Sequence, residues 1–220
     1  MKFSAIYKPT SLFSLKESNS TNSGAKSLLI PSPYAIKMAL FNQAITIDGI
    51  DNFENKKSLV FEFIKDAKIE YIVNGSFCVN NCFVTIQSYR NERKEFTGKP
   101  SFREYIHLSQ NIEIIFGVKN EEAMIYLKKY LHRINYFGKR GCFFQFINYN
   151  DSPEKPNVKK FDASNFSQGI LQEFDDISPK ADFKHVNNFD SEDAKRDKIV
   201  FVIPVQNINS SKSYTHFKCV

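Results

Sequence analysis

The chain has 220 residues, 42% hydrophobic and 25% charged, an ordinary globular composition that supplies one sizeable core and leaves room for an insertion or small second lobe. Its formal charge of +6 is uneven: residues 1–150 hold 20 Lys and Arg against 13 Asp and Glu, whereas 151–220 hold 10 against 11. The basic first part favours a polyanion partner. No apolar run approaches the ~18 residues of a membrane span, so no membrane partner is expected.

Lys2–Tyr7 places Phe3, Ala5 and Tyr7 on one face and Ser4 and Ile6 on the other, which predicts a first strand ending at Pro9 rather than a signal peptide, and hence a cytoplasmic chain. Thr10–Ser27 is rich in Ser, Thr and Asn and reads as a loop. Ser32 then stands as an N-cap before Pro33, and Ile36, Leu40 and Ala44 set the apolar stripe of a helix over Pro33–Ala44. A second helix is expected over Lys57–Ala67. Ile69–Val73 and Phe77–Tyr89 follow, β-branched and aromatic, with Asn74-Gly75 between them.

Gln87–Glu104 changes character. Arg90, Arg93, Lys94, Lys99 and Arg103 surround Phe96, Gly98, Pro100 and Phe102, with Glu92, Glu95 and Glu104 partly offsetting the charge, the pattern of a protruding basic hairpin. Ile106–Val118 returns to strand character, and Asn120 caps a helix over Glu121–Asn135 that Gly138-Lys139-Arg140-Gly141 closes before a strand over Cys142–Tyr149. Beyond Asn150 the one clear strand is Ile199–Val205, and the acidic, weakly periodic stretch between Asp151 and Lys198 receives no firm structure.

With Ile69–Val73 counted as a lead-in to the longer strand, residues 1–149 read as strand, helix, strand, strand, helix, strand. The fold class is α+β, a ferredoxin-like (RRM-like) βαββαβ core over 1–149 with a thumb insertion at 87–104, and 150–220 form a partly irregular C-terminal extension. Two helices cover one face of such a sheet; RNA or a second domain commonly meets the other.

Three stretches together resemble the Cas-five family of the repeat-associated mysterious protein (RAMP) superfamily of type I CRISPR complexes. They are Lys2–Tyr7 with Lys8-Pro9 behind it, the helix entry Leu29–Leu40, and the turn Tyr136–Gly141. The resemblance covers about residues 1–149. It implies a non-catalytic subunit of a Cascade surveillance complex that holds the 5′ handle of the crRNA, caps the filament of backbone subunits and lies near the large subunit and target DNA beside the PAM. It also implies a thumb that kinks out one guide nucleotide, matched in position and charge by Gln87–Glu104.

The residues expected at RNA are Lys8, Lys37, Arg90, Arg93, Lys94, Phe96, Lys99, Arg103, Gly138, Lys139, Arg140 and Gly141. Basic side chains would contact phosphates while Phe96 or Phe102 wedges against bases, the alternative being a solvated loop. Gly138 and Gly141 would let backbone amides approach a phosphate, or Gly138 would simply stop the preceding helix.

Cys78, Cys82, Cys142 and Cys219 form no C-x-x-C pair and have no companion His at zinc-finger spacing; they read as buried free thiols, and no metal or cofactor is expected. His107, His132, His185 and His216 fall in no aligned catalytic set, so no catalytic residue is assigned. A metal-independent endoribonuclease that cuts the CRISPR repeat is the runner-up. A protein-docking subunit using Glu173, Asp175, Asp176, Asp182 and Asp190 is the third reading.

Overall fold

The computed structural model describes residues 1–21, 24–54, 59–91, 94–164, 168–187 and 193–220. In chain order the elements are β1 (Lys2–Pro9), β2 (Leu15–Lys16), β3 (Gly24–Ala25), β4 (Ser27–Leu28), α1 (Pro33–Asp48), α2 (Asp51–Glu54), α3 (Leu59–Lys65) and β5 (Lys68–Val73). Then come β6 (Ser76–Arg90), β7 (Glu95–Leu108), β8 (Ile112–Gly117), α4 (Glu121–Leu131), β9 (Phe144–Asn150) and β10 (Lys159–Lys160). β11 (Ile170–Ile177), a 3-10 turn over Phe183–His185, β12 (Arg196–Ile203), β13 (Val205–Ser210) and β14 (Tyr214–Cys219) complete this α+β chain.

A central antiparallel sheet has the strand order β5-β8-β1-β9. One face carries Phe3, Ala5 and Tyr7 of β1, Ile112, Ile114 and Phe116 of β8, and Ile69, Tyr71 and Val73 of β5, all buried, while Ser4, Ile72 and Ile115 on the other face are buried as well. Two helices share that core. The Ser32 side chain accepts from the Ala35 amide at 3.2 Å, and α1 buries Pro33, Ile36, Lys37, Leu40, Phe41 and Ala44 at helical spacing. Asn120 caps α4 in the same way at 3.0 Å, and α4 buries Ala123, Leu127, Tyr130 and Leu131. The phenol of Tyr7 donates to the Leu131 carbonyl at 2.7 Å, tying strand to helix through a buried bond.

The structure corrects the sequence reading in four places. Ile69–Val73 is the second core strand itself, not a lead-in: at Gly75, with φ of +78°, the chain leaves the central sheet, and β6 belongs to a second sheet ordered β13-β14-β6-β7-β3. The insertion is therefore a hairpin from Ser76 to Leu108 in which Gln87–Glu104 is the outer part. α4 ends at Leu131, so Gly138 does not stop it; the Gly138–Gly141 turn sits in the separate crossing to β9. α1 runs on past Ala44 to Asp48.

The fourth correction concerns the stretch after Asp151. It contains β11, which pairs with β12 from Ile170↔Ile203 to Ile177↔Arg196 and packs on α1. β11 inverts the usual pattern. Leu171 is 52% exposed, whereas Gln172 is buried, its Oε1 accepting from the Leu29 amide at 2.9 Å and its Nε2 donating to the Ser27 carbonyl at 3.2 Å. Phe174 and Phe201 pack edge-on against Tyr71, so this later segment shares the core of the first.

Candidate nucleic-acid interface

Fourteen cross-strand pairs hold β6 to β7, from Phe77↔Leu108 to Arg90↔Glu95, a ribbon about 45 Å long. Its root is anchored in the core by Phe77, Val79, Ile106 and Leu108. Toward its tip the ribbon is mostly exposed. Side-chain period sorts its length into two faces. One face carries Phe83 opposite Phe102 and Tyr89 opposite Phe96, with ring centroids 5.8 and 5.2 Å apart, and Phe83 and Phe96 are 85% and 69% exposed. The other carries Lys99 opposite Ile86 and Arg103 opposite Cys82.

All but one of the expected RNA residues have a definite place. Lys8 is exposed near the end of β1, opposite Gln145 of β9. Arg90 ends β6 opposite Glu95; Arg93 lies outside the described residues. Lys94 is exposed in the hairpin turn with φ of +51°. Lys99 is exposed, and Arg103 is half-buried with a guanidinium that donates to the Phe102 carbonyl at 2.7 Å. Gly138, Lys139, Arg140 and Gly141 form an exposed turn whose two glycines take φ of +70° and +100°. Ser11 and Thr10, just after β1, hold that turn through bonds to the Gly141 and Phe143 carbonyls, each 3.1 Å.

Lys37 is a correction. It is 2% exposed, its Nζ 2.7 Å from the Asp176 carboxylate and donating to the Lys65 carbonyl at 2.7 Å. Burial pulls its pKa below the usual lysine value, with Asp176 opposing. The charge joins α1 to β11 and faces no solvent, so it offers nothing to a phosphate.

Three acidic residues of the third reading are likewise committed, Asp176 to Lys37 and two others to nearby cations. Asp175 pairs with Arg196 at 3.3 Å, Glu173 with Lys198 at 2.6 Å, and Asp182 begins the 3-10 turn; Asp190 lies outside the described residues. Among the thiols only Cys142 is buried; the other three are half-buried.

The turn and the hairpin root meet. A cleft of about 410 Å³ is lined by Arg103, Gly138, Lys139, Tyr34 at the start of α1, Arg196, and the Glu173 and Asp175 that Lys198 and Arg196 neutralise. The Arg196 guanidinium lies 4.0 Å from the centroid of the Tyr34 ring. Arg103, Lys139 and the stacked, paired Arg196 therefore gather beside Gly138, groups of the kind that meet phosphates and flat rings. Neither Tyr34 nor Arg196 is among the residues expected at RNA: one follows the proline that starts α1, and the other lies in the stretch given no firm structure. Among the described residues no cluster of three or more His, Cys, Asp or Glu is disposed to hold a metal, and no helix is long and apolar enough to cross a membrane.

No family model matches the chain. It is similar to the CRISPR-associated protein Cas5 of Archaeoglobus fulgidus, 25% identical over 190 residues and covering 81% of each protein. Among solved structures, one from a CRISPR RNA-guided surveillance complex aligns over 91% of this chain and 88% of its own at 11% identity and a TM-score of 0.46. A CRISPR protein from Archaeoglobus fulgidus aligns over 100% and 92% at 11% identity and a TM-score of 0.42.

Proposed function

With the chain a Cas5-type relative among CRISPR-associated proteins, we propose that it is a non-catalytic, cytoplasmic RNA-binding subunit of a type I surveillance (Cascade) complex. In this reading a ferredoxin-like core is the palm that holds the 5′ handle of the crRNA, and the outer half of β6 and β7 is the thumb. Backbone subunits, the large subunit and target DNA near the PAM are its further partners. The order β5-β8-β1-β9 with α1 and α4 on one face supports the palm.

One observation carries the proposal: an anchored ribbon with two cross-strand aromatic pairs, in which Phe83, Tyr89 and Phe96 are exposed, rises from a root where Arg103, Gly138 and Lys139 line one cleft. Rings that stack on any base, on one face of a ribbon whose other face leads to cations that meet phosphates, suit binding of a single strand without cleavage.

The test is co-expression with neighbouring CRISPR subunits and sizing of the RNA that copurifies. A single short species is expected. With Arg103, Lys139 and Arg140 changed together to Ala, guide-RNA affinity should fall at least ~10-fold and the salt slope should flatten by about 2, at ~0.7 per lost phosphate contact on a single strand. Unchanged affinity across several salt concentrations rejects the cleft. A specific cut in repeat RNA, made in the presence of a chelator, rejects the non-catalytic part.

A further inference from the structure

The second sheet has two faces, and the ribbon tip and cleft do not account for one of them. Where β14, β6 and β7 lie side by side, Phe217↔Phe77↔Leu108 and Thr215↔Val79↔Ile106 point toward the core. The residues between them point the other way and form two rows across three strands. One row is Tyr214↔Asn80↔Tyr105; the next, two residues and about 7 Å along the strands, is His216↔Cys78↔His107. His107 is exposed and the remaining five are half-buried.

Directly opposed residues of antiparallel strands share a face, so each row sets two flat rings on either side of a small central residue. The rows are held in place. Asn80 donates to the Tyr105 carbonyl at 3.2 Å, and the Tyr214 hydroxyl accepts from Asn209 of β13 at 3.1 Å. Continuing along the same face, the next pair is Cys82↔Arg103, so the rows run into the cleft. Lys139 closes that corner, its Nζ 6.0 Å from the centre of the Tyr105 ring.

Charge selects the occupant. By the paired registers this face carries Lys218 opposite Ser76 at one end and Arg103 and Lys99 at the other; among the described residues its one carboxylate is Glu95, at the far tip. Within the rows a protein partner of mixed charge finds no carboxylate for its own lysines and arginines, and the Glu173 and Asp175 of the adjoining cleft already pair with Lys198 and Arg196, whereas a polyanion meets cations at both ends of a ringed surface.

We propose that this sheet face is a stacking platform for unpaired RNA nucleotides, with Tyr105 and Tyr214 as the base-stacking rings and with the strand passing from the platform into the cleft. The assignment rests on the guide-RNA reading for the source of the strand. Aromatic rings on an antiparallel sheet bind single strands with little sequence preference, because every base offers a flat face.

The experiment uses the full chain and a fluorescently labelled 12-nucleotide uridine RNA, with anisotropy measured over a series of salt concentrations. Tyr105→Ala with Tyr214→Ala should weaken binding by about 10-fold or more and leave the salt slope unchanged, since no cation is removed. Tyr105→Phe with Tyr214→Phe should restore affinity, which separates stacking from a folding defect. Lys139→Ala with Arg140→Ala is the companion. If it weakens binding and flattens the slope while the tyrosine pair has no effect, the platform is wrong and the guide-RNA reading stands. If neither pair matters, both fail. If the alanine pair does not fold, 5-iodouridine crosslinking of the unaltered chain decides: adducts on Tyr105 or Tyr214 support the platform, and adducts confined to other residues overturn it.

Discussion

Replacing Lys37 with Met tests both the packing and the removal of this residue from the RNA surface. The ammonium is 2% exposed and meets the Asp176 carboxylate at 2.7 Å and the Lys65 carbonyl at 2.7 Å, while the Asp176 side chain is 18% exposed. Lys37→Met fills the space of the aliphatic stem but leaves the Asp176 carboxylate without its cation, with the Ile177 amide at 2.7 Å still donating to it, and the Lys65 carbonyl without its donor. Breaking a buried pair from one side costs ~3–5 kcal/mol. For a chain of 150–250 residues each kcal/mol lowers Tm by roughly 2–4 °C, which gives a fall of about 6–20 °C. Lys37→Met combined with Asp176→Leu removes both charges and should recover part of that loss, leaving the Lys65 carbonyl without its donor at ~1–3 kcal/mol and the Ile177 amide without the Asp176 acceptor. Urea unfolding gives ΔΔG when the m-value is unchanged, and the two single changes with the double one make a complete cycle. The reasoning is refuted if Lys37→Met shifts stability by less than ~1 kcal/mol, or if it weakens guide-RNA binding in a chain whose unfolding curve has not moved.

Tyr89→Ala with Phe96→Ala should leave Tm nearly unchanged, because the rings are 51% and 69% exposed, yet lower guide-RNA affinity by about 10-fold; anisotropy beside a melting curve reads both. Gly138→Ala forces a side chain into φ of +70° with its Cβ 2.8 Å from Leu15 Cδ2, and should cost ~1–2 kcal/mol in urea unfolding, chiefly as backbone strain since the leucine tip can yield. The Asp48 carboxyl is held below its ordinary value of 3.8 by the Tyr130 hydroxyl and then by Lys129 at 2.9 Å. The stability it contributes is complete above the unfolded value and lost as pH falls through the lower folded one, so Asp48→Asn should flatten the acid limb of a stability profile below about pH 4.

Much of the central sheet was legible because its strands obey the simplest rule. Phe3, Ala5 and Tyr7 alternate with Ser4 and Ile6, and the first group is buried. The Ser32-Pro33 entry was equally plain, since a cap and a missing amide are local chemistry. β11 was illegible for the opposite reason. Its inward side carries Gln172, Phe174 and Asp176, made tolerable inside by Ser27, Leu29 and Lys37, partners far away in the chain, so an acidic run given no firm structure is half interior. Lys37 misled in the same way: a helical lysine normally reaches solvent, and nothing nearby in sequence announces Asp176.

The basic residues of the hairpin could be read directly, because they are contiguous. Tyr105 and Tyr214 could not be joined, since only the β14 to β6 register brings them to one row. Asn74-Gly75 was recognised as a turn, but a turn signal does not say whether the next strand rejoins the same sheet or starts another.

The two-sided ribbon limits how such an appendage can change in length. One residue gained or lost within β6 or β7 below the tip turns every more distal side chain over, moving Lys99 to where Phe96 and Phe102 now stand. Growth or shrinkage that keeps rings and cations on their own sides must therefore come as matched pairs of residues on both arms. Natural variants should accordingly differ in reach by steps of about 7 Å, a ratchet that would let evolution adjust how far the ribbon extends without redesigning what it presents.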